Sequence, residues 1–207
     1  MKNMTRMLAV ATLAAGTVAA TPAKDGPAAD VAWTLDASHS VVGFSVKHFF
    51  TPVQGQFDDY EAVVNFDPAN PEASTVDVKI AVASVNTNNE KRDTHLQTAD
   101  FFDAETYPYI TFKSTSVRAA GDDQYMITGD LTIKDVTREI ELPVTLLGVT
   151  ELDGEMSAMF GGIQKVASFQ GGATVNRNDF GVGTGSWAAT LVVGGEVNID
   201  LALEVNR

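Results

Sequence analysis

Three histidines, His39, His48 and His95, have the most chemistry to offer in this 207-residue chain, which has no cysteine. Without a thiol there is no disulfide framework, zinc–thiolate site, iron–sulfur cluster or cysteine nucleophile. No two histidines lie three to five residues apart and no His-Glu-x-x-His occurs, so a zinc or iron centre lacks ligands. Ser38-His39-Ser40 sets hydroxyls beside an imidazole, but neighbours on a strand point to opposite faces. A Gly-x-Ser-x-Gly elbow is absent, which leaves a hydrolase little support. Gly181, Gly183 and Gly185 make a Gly-x-Gly-x-Gly, yet the run Trp187 to Val193 after it reads as strand. A dinucleotide pyrophosphate needs a helix N-terminus there, so these glycines read as a flexible turn. The acid pairs Asp58-Asp59 and Asp122-Asp123 adjoin turn signals and read as solvated surface. The expectation is no catalytic residue, no metal and no cofactor.

The remaining candidates are polar groups and aromatics set among apolar residues. His48 continues the face of Val42, Phe44 and Val46. It is either a satisfied core histidine or a polar tip at the mouth of an apolar tunnel. Arg177 shares parity with Ala173 and Val175, and an inward guanidinium needs an anionic partner. Asp179 is the favoured partner and a ligand phosphate the alternative. Phe44 and Phe112 face inward by parity, Phe50 ends a strand, and Phe101 and Phe102 fall in a helical stretch. With Leu131 and Ile133 they either fill a core or line a tunnel.

The elements that must position these residues are strands. Alternation of period two recurs at Val42 to His48, Tyr60 to Phe66, Val76 to Val82, Ile110 to Phe112, Tyr125 to Ile133, Ile140 to Leu146 and Val197 to Val205. One wet face and one dry face mark antiparallel sheet. Turn signals fall at Asp67-Pro68, Asn70-Pro71, Gly121-Asp122-Asp123, Lys134-Asp135, Asp153-Gly154, Gly171-Gly172 and Gly194-Gly195. Only Asn88 to Asp103 reads as helical. An open sheet of this size would leave edges, and closure removes them. The fold class is therefore all-β, an extended antiparallel barrel of about eight strands with a short helical insertion. A two-sheet sandwich is the alternative. A barrel of about eight strands is either filled by side chains or holds one small ligand.

Composition narrows the partners. Apolar residues make up 44% of the chain and charged residues 20%, as in ordinary globular domains. The net charge of −13 argues against nucleic acid and against broad docking or stable insertion on anionic membrane. Residues 1–20 read as a cleavable secretory signal: Lys2 and Arg6, the apolar run Leu8 to Ala15, then Val18-Ala19-Ala20. That run is too short to span a bilayer. Residues 21–30 are rich in Pro, Ala and Gly and read as a disordered lead-in, leaving 31–207 as the barrel domain.

The order of blocks along the chain resembles the YceI family of bacterial periplasmic polyisoprenoid-binding proteins. The resemblance begins at Trp33-Thr34-Leu35-Asp36-Ala37-Ser38-His39-Ser40 and continues through Val41 to His48 and Gly55-Gln56-Phe57. It returns at Ser84-Val85-Asn86-Thr87, Arg92 to Leu96, Asp100 to Asp103, Tyr107 to Phe112 and Gly129 to Thr137, and ends with Asn176 to Gly181. It implies a lipocalin-like barrel, a periplasmic location, and a tunnel for a long amphiphile such as a polyprenyl phosphate, a quinone or a fatty amide. It supplies no catalytic residues and is compatible with a homodimer. The segment Gly154 to Gln170 departs from the family pattern and either reshapes one mouth or lengthens a hairpin.

These readings combine into an exported, non-enzymatic protein holding an isoprenoid lipid or quinone for transport, storage or sequestration. The expected lining and mouth are Phe44, Val46, His48, Phe50, Phe101, Phe102, Phe112, Leu131, Ile133 and Arg177. One alternative is an accessory enzyme or redox partner acting on the bound lipid through His48 and Arg177. Another is a filled barrel with a surface role, which predicts no cavity.

Overall fold

The computed structural model describes residues 32–189 and 191–207. The expected signal segment (1–20), the lead-in (21–30) and the first residue of the expected domain lie outside the described residues. Eleven strands form: β1 (Ala32–Leu35), β2 (Val41–His48), β3 (Thr51–Phe57), β4 (Tyr60–Asn65), β5 (Thr75–Ala81), β6 (Val85–Asn86), β7 (Tyr109–Gly121), β8 (Gln124–Ile133), β9 (Val136–Glu151), β10 (Lys165–Asn176) and β11 (Val193–Asn206). Two short helices accompany them, α1 (Glu90–Leu96) and α2 (Gly154–Met159).

The first six strands are three staves, each broken once. β1 and β2 both lie on the same edge of β11. β4 pairs with β1, and β3 pairs with β2. β5 pairs with β4, and β6 pairs with β3. With β7 to β11 this makes a closed eight-stranded antiparallel barrel in which consecutive staves are neighbours. Closure through β11 is what separates the fold from a sandwich.

The three breaks lie side by side. Asp36 caps the 3-10 turn Ala37–His39, its carboxylate accepting from the Ser38 N–H. The Tyr60 hydroxyl donates to the Ser40 carbonyl at 2.7 Å, and the Asp58 N–H donates to the Ser84 carbonyl at 3.1 Å. The Asp58 carboxylate accepts from the amides of Gln56 and Asn86. Asp58 thus ties the breaks together, a structural task that its reading as solvated surface does not anticipate. Beyond the breaks β6 does not pair with β7, and the segment from α1 to Pro108 fills the opening. Leu96, Phe101 and Phe102 pack there against the barrel core, with the Phe102 ring 6.0 Å from that of Phe57.

Period-two alternation places the inward side chains as expected. Val42, Ile80, Ile110, Phe112, Ile127, Leu131 and Leu142 form one buried cluster with Phe101 and Phe180. Trp33, Val64, Phe66, Tyr125, Phe169 and Val205 form a second at the other end. Val76, Val144 and Leu203 touch both.

Several local expectations are corrected. The helical stretch is only the seven residues of α1, followed by turns. Asn89 caps it by accepting from the Arg92 N–H. Trp187 to Val193 does not begin a strand: Gly185–Trp187 is a 3-10 turn and β11 starts at Val193. Gly171-Gly172 is not a turn but lies inside β10. A Cβ at Gly172 would run into the Ile199 carbonyl, so close backbone approach explains that glycine. Gly194-Gly195 lies within β11, where the register against β2 shifts between Val193 and Val197, as at a bulge. The unmatched Gly154 to Gln170 segment begins with α2, whose N-cap Asp153 accepts from the Met156 N–H, and then enters β10.

One inward glycine is a packing requirement. The Phe112 ring lies over Gly129, where a Cβ would overlap the ring and crowd the Lys113 carbonyl. Gly129→Ala is expected to lower stability by about 1–3 kcal/mol, the usual cost of overpacking, read from the midpoint of urea unfolding. An unchanged midpoint would mean the ring moves aside freely.

Candidate functional site: an apolar cavity inside the barrel

The barrel is not filled. A cavity of about 250 Å³ runs through it, from Leu35, Phe66 and Phe169 at one end to Phe101, Val182 and Arg177 at the other. A water-sized sphere occupies about 10–15 Å³, so this is room for a chain rather than a single solvent molecule. The filled-barrel alternative is thereby corrected.

Aliphatic and aromatic side chains make up almost the whole wall. Two of its few polar side chains are turned to partners outside it. The Tyr60 hydroxyl bonds outward to the Ser40 carbonyl, and the Ser74 hydroxyl accepts from the Asp67 N–H at 3.1 Å. Desolvation, with a smaller contribution from Asp58, pushes the Tyr60 pKa up, so the phenol stays neutral. Tyr125 shifts upward for the same reason, with Asp123 as its acidic neighbour. Among the described residues no buried side-chain nitrogen or oxygen lacks a partner. The cavity wall is almost wholly apolar and therefore offers shape and dispersion contacts.

Eight of the ten expected residues line this space: Phe44, Val46, Phe101, Phe102, Phe112, Leu131, Ile133 and Arg177. His48 and Phe50 do not, which corrects the reading of His48 as a core histidine and of both as lining; they stand outside the wall, on the hairpin between β2 and β3. His48 is exposed at the end of β2, edge-on to Phe49, because the strand has already left the core there. Phe50 stands in the two-residue turn that follows, with 92% of its surface exposed.

Arg177 faces inward, but its role differs from both sequence readings. It is 5% exposed. Its Nε donates to the Gly194 carbonyl at 2.8 Å. Nη1 donates to Val182 and Gly183, and Nη2 to Trp187 and Val193, all at 2.7–3.0 Å. A guanidinium has five N–H groups, so all are used. No described carboxylate pairs with it, and Asp179 does not reach it. Burial pulls its pKa down, and five carbonyl dipoles take the place of a counter-ion. The Gly-x-Gly-x-Gly loop is the wrapping of this side chain rather than a flexible turn. Gly183 has φ +76°, and a Cβ there would overlap Nη1. With His48 outside and Arg177 saturated, the reactive pair of the accessory-enzyme reading is not assembled.

The expected set is only a small part of the wall. Tyr60, Phe66, Ile127, Leu142, Phe169 and Leu203 also line the cavity. All but Phe169 lie in runs whose alternation is plain, Phe66 just past the end of β4, so the same parity could have found them. Phe169 is hidden by the reading of Gly171-Gly172 as a turn.

Other polar groups lie outside the cavity wall. His95 Nε2 is 2.9 Å from the Asp100 carboxylate, and its ring packs edge-on against Phe101 and Trp187. Arg92 and Asp93 both bond Thr87. Asp36, His39 and Glu204 bring three atoms capable of metal ligation within 4.8 Å of one another. Asp36 already accepts from Ser38 and lies 3.0 Å from His39, and that contact lowers the carboxyl pKa and raises the imidazole's. The group sits on the outer surface, away from the cavity, as an ion-paired cap on the β1–β2 break.

Comparison with known proteins agrees with this architecture. A YceI-like domain matches residues 33–205. A UPF0312 protein of Pseudomonas savastanoi pv. phaseolicola is 37% identical over 184 residues, covering 88% of this chain and 91% of the relative. Protein YceI of Escherichia coli O17:K52:H18 is 37% identical over 158 residues, covering 76% and 78%. Among solved structures, Burkholderia cenocepacia BcnA superposes with a TM-score of 0.72 at 32% identity, covering 82% of this chain and 98% of BcnA. A polyisoprenoid binding domain from Saccharophagus degradans shares the fold at 16% identity and a TM-score of 0.59, covering 85% and 98%. A closed barrel with a hollow apolar interior, matched along nearly its whole described length, places this chain in the YceI-like domain family.

Proposed function

We propose that this chain is an exported, non-enzymatic carrier that holds a long-chain isoprenoid lipid or quinone, or a similar amphiphile, inside its barrel. The cavity carries the reading: it runs along the barrel and its wall is almost wholly apolar. Each buried CH2-sized group contributes about 0.8 kcal/mol, so a few isoprene units supply ample affinity without any exact polar contact. Selection is therefore by length and shape, and the head group stays at a mouth. The family resemblance supports an isoprenoid class, and a protein of the same fold is named for polyisoprenoid binding. The signal-like residues 1–20 support export to the periplasm, where such a carrier would transport, store or sequester its ligand.

Native mass spectrometry of the purified protein, followed by organic extraction, tests this. The expected result is a released molecule with a long apolar body and one polar end. Delipidated protein that takes up neither a prenyl lipid nor a fatty amide would overturn the proposal.

A further inference from the structure

The β2–β3 hairpin ends in a feature the folded chain does not use. Phe50 is 92% exposed, Leu191 77% and Phe49 51%. One exposed apolar side chain is ordinary, but a contiguous group calls for an explanation. The two loops are joined: the Phe49 N–H donates to the Val192 carbonyl at 2.8 Å, and His48 pairs with Val193.

The turn is also locally unfavourable. His48 pairs with Thr51, so the loop is only Phe49-Phe50, and Phe49 has φ +52°. Such turns favour Asn-Gly or Asp-Gly, because left-handed backbone is costly for a bulky residue. Here the residue at positive φ is aromatic, and the next side chain projects into solvent. A local rule broken without gain inside the fold points to a partner outside it.

Charge identifies the partner. The chain has 27 acidic residues, yet 41–57 has none and carries Lys47 and His48, and 180–195 has no charged residue at all. The nearest acids in sequence, Asp58, Asp179 and Glu196, stand outside both stretches, and Asp100 adjoins the far part of the second, where its carbonyl accepts from the Thr184 N–H at 3.1 Å. The exposed apolar residues around α2, Met159 and Phe160, instead share a short segment with the acids Asp153 and Glu155. An apolar tip that carries Lys47 and has no acid on its own hairpin suits a lipid surface, where apolar groups enter the acyl region and a cation meets phosphates.

The tip is continuous with the cavity. Val46, three residues before Phe49, and Val193, two after Leu191, both line the cavity wall. We infer that Phe49, Phe50 and Leu191 form a reversible lipid-surface docking tip that brings this end of the cavity to a bilayer for ligand exchange. The exchange role rests on the carrier reading; the docking itself does not. The acidic remainder of the molecule keeps the contact transient.

Co-sedimentation with phosphatidylcholine vesicles, with and without phosphatidylglycerol, tests the inference. The full-length protein is expected to partition onto both. Phe50→Ser and Leu191→Ser should each lower partitioning by about tenfold, the scale of withdrawing one large apolar side chain from a bilayer. Lys47→Glu should weaken binding only where phosphatidylglycerol is present. Phe50→Ser should also slow uptake of a prenyl lipid from vesicles while leaving uptake from detergent micelles unchanged.

Absence of vesicle binding by the unaltered protein, or binding by both serine variants at its level, overturns the inference. Loss of a dimer in light scattering, with no vesicle binding, assigns the tip to a second copy and also overturns it. If the unaltered protein takes up no prenyl lipid from micelles yet still binds vesicles through Phe50, the carrier reading fails and the docking tip stands.

Discussion

Arg177→Met is expected to destabilise the protein by about 4 kcal/mol or more, because one buried side chain satisfies so many backbone groups. The variant removes five hydrogen bonds at once and leaves the carbonyls of Val182, Gly183, Trp187, Val193 and Gly194 to find other donors. A buried acceptor left unpaired costs about 1–3 kcal/mol, and those near the surface recover part of that from water. For a chain of this size the loss corresponds to a fall in Tm of about 8–16 °C. Arg177→Lys should recover little, because an ammonium offers three donors and no planar fork. Thermal unfolding by circular dichroism checks both. If Arg177 instead bound a ligand phosphate, the variants would keep their stability and lose ligand affinity. The saturated guanidinium predicts the reverse order of effects.

The second large effect is on binding rather than stability. Val76 lines the cavity and touches both apolar clusters, so it stands midway along the barrel. Val76→Trp puts an indole where the ligand chain must pass. Excluding about four CH2-sized groups removes about 3 kcal/mol of burial, a loss of affinity of about a hundredfold. The overpacking cost to the fold is about 1–3 kcal/mol, within what a domain of this size tolerates. Titration of delipidated protein with a prenyl lipid in native mass spectrometry measures the change. Affinity equal to that of the unaltered protein would place the ligand outside the barrel and remove the basis of the carrier reading.

These two residues illustrate what sequence reading can reach. Parity alone assigns Val76 to the interior. On a strand the side chains alternate strictly, so the wet or dry character of neighbours fixes the face. Parity also places Arg177 inward, but its partners are not legible. They lie five to seventeen residues ahead, on a loop and on the bulged start of β11, and nothing in a linear pattern says that backbone carbonyls will converge there. His48 shows where parity stops working: it holds only while the strand stays against the core, and β2 leaves the core before its last residues. The glycine pairs mislead for a related reason, since a glycine marks a turn, a bulge or a close backbone approach alike.

The sequence by itself determined the class of fold, the inward set of side chains and the family, because each of these is written in local alternation and in the order of short blocks. The tertiary structure alone decided three further things. It decided that the staves close through β11 into a ring, since closure depends on strand pairing between the two ends of the chain. It decided that the interior is hollow, because the same inward residues would fill or line a barrel according to its radius. It decided that the inward charge of Arg177 is committed to the backbone, which leaves the cavity wall almost wholly apolar and gives recognition of its occupant to shape and length.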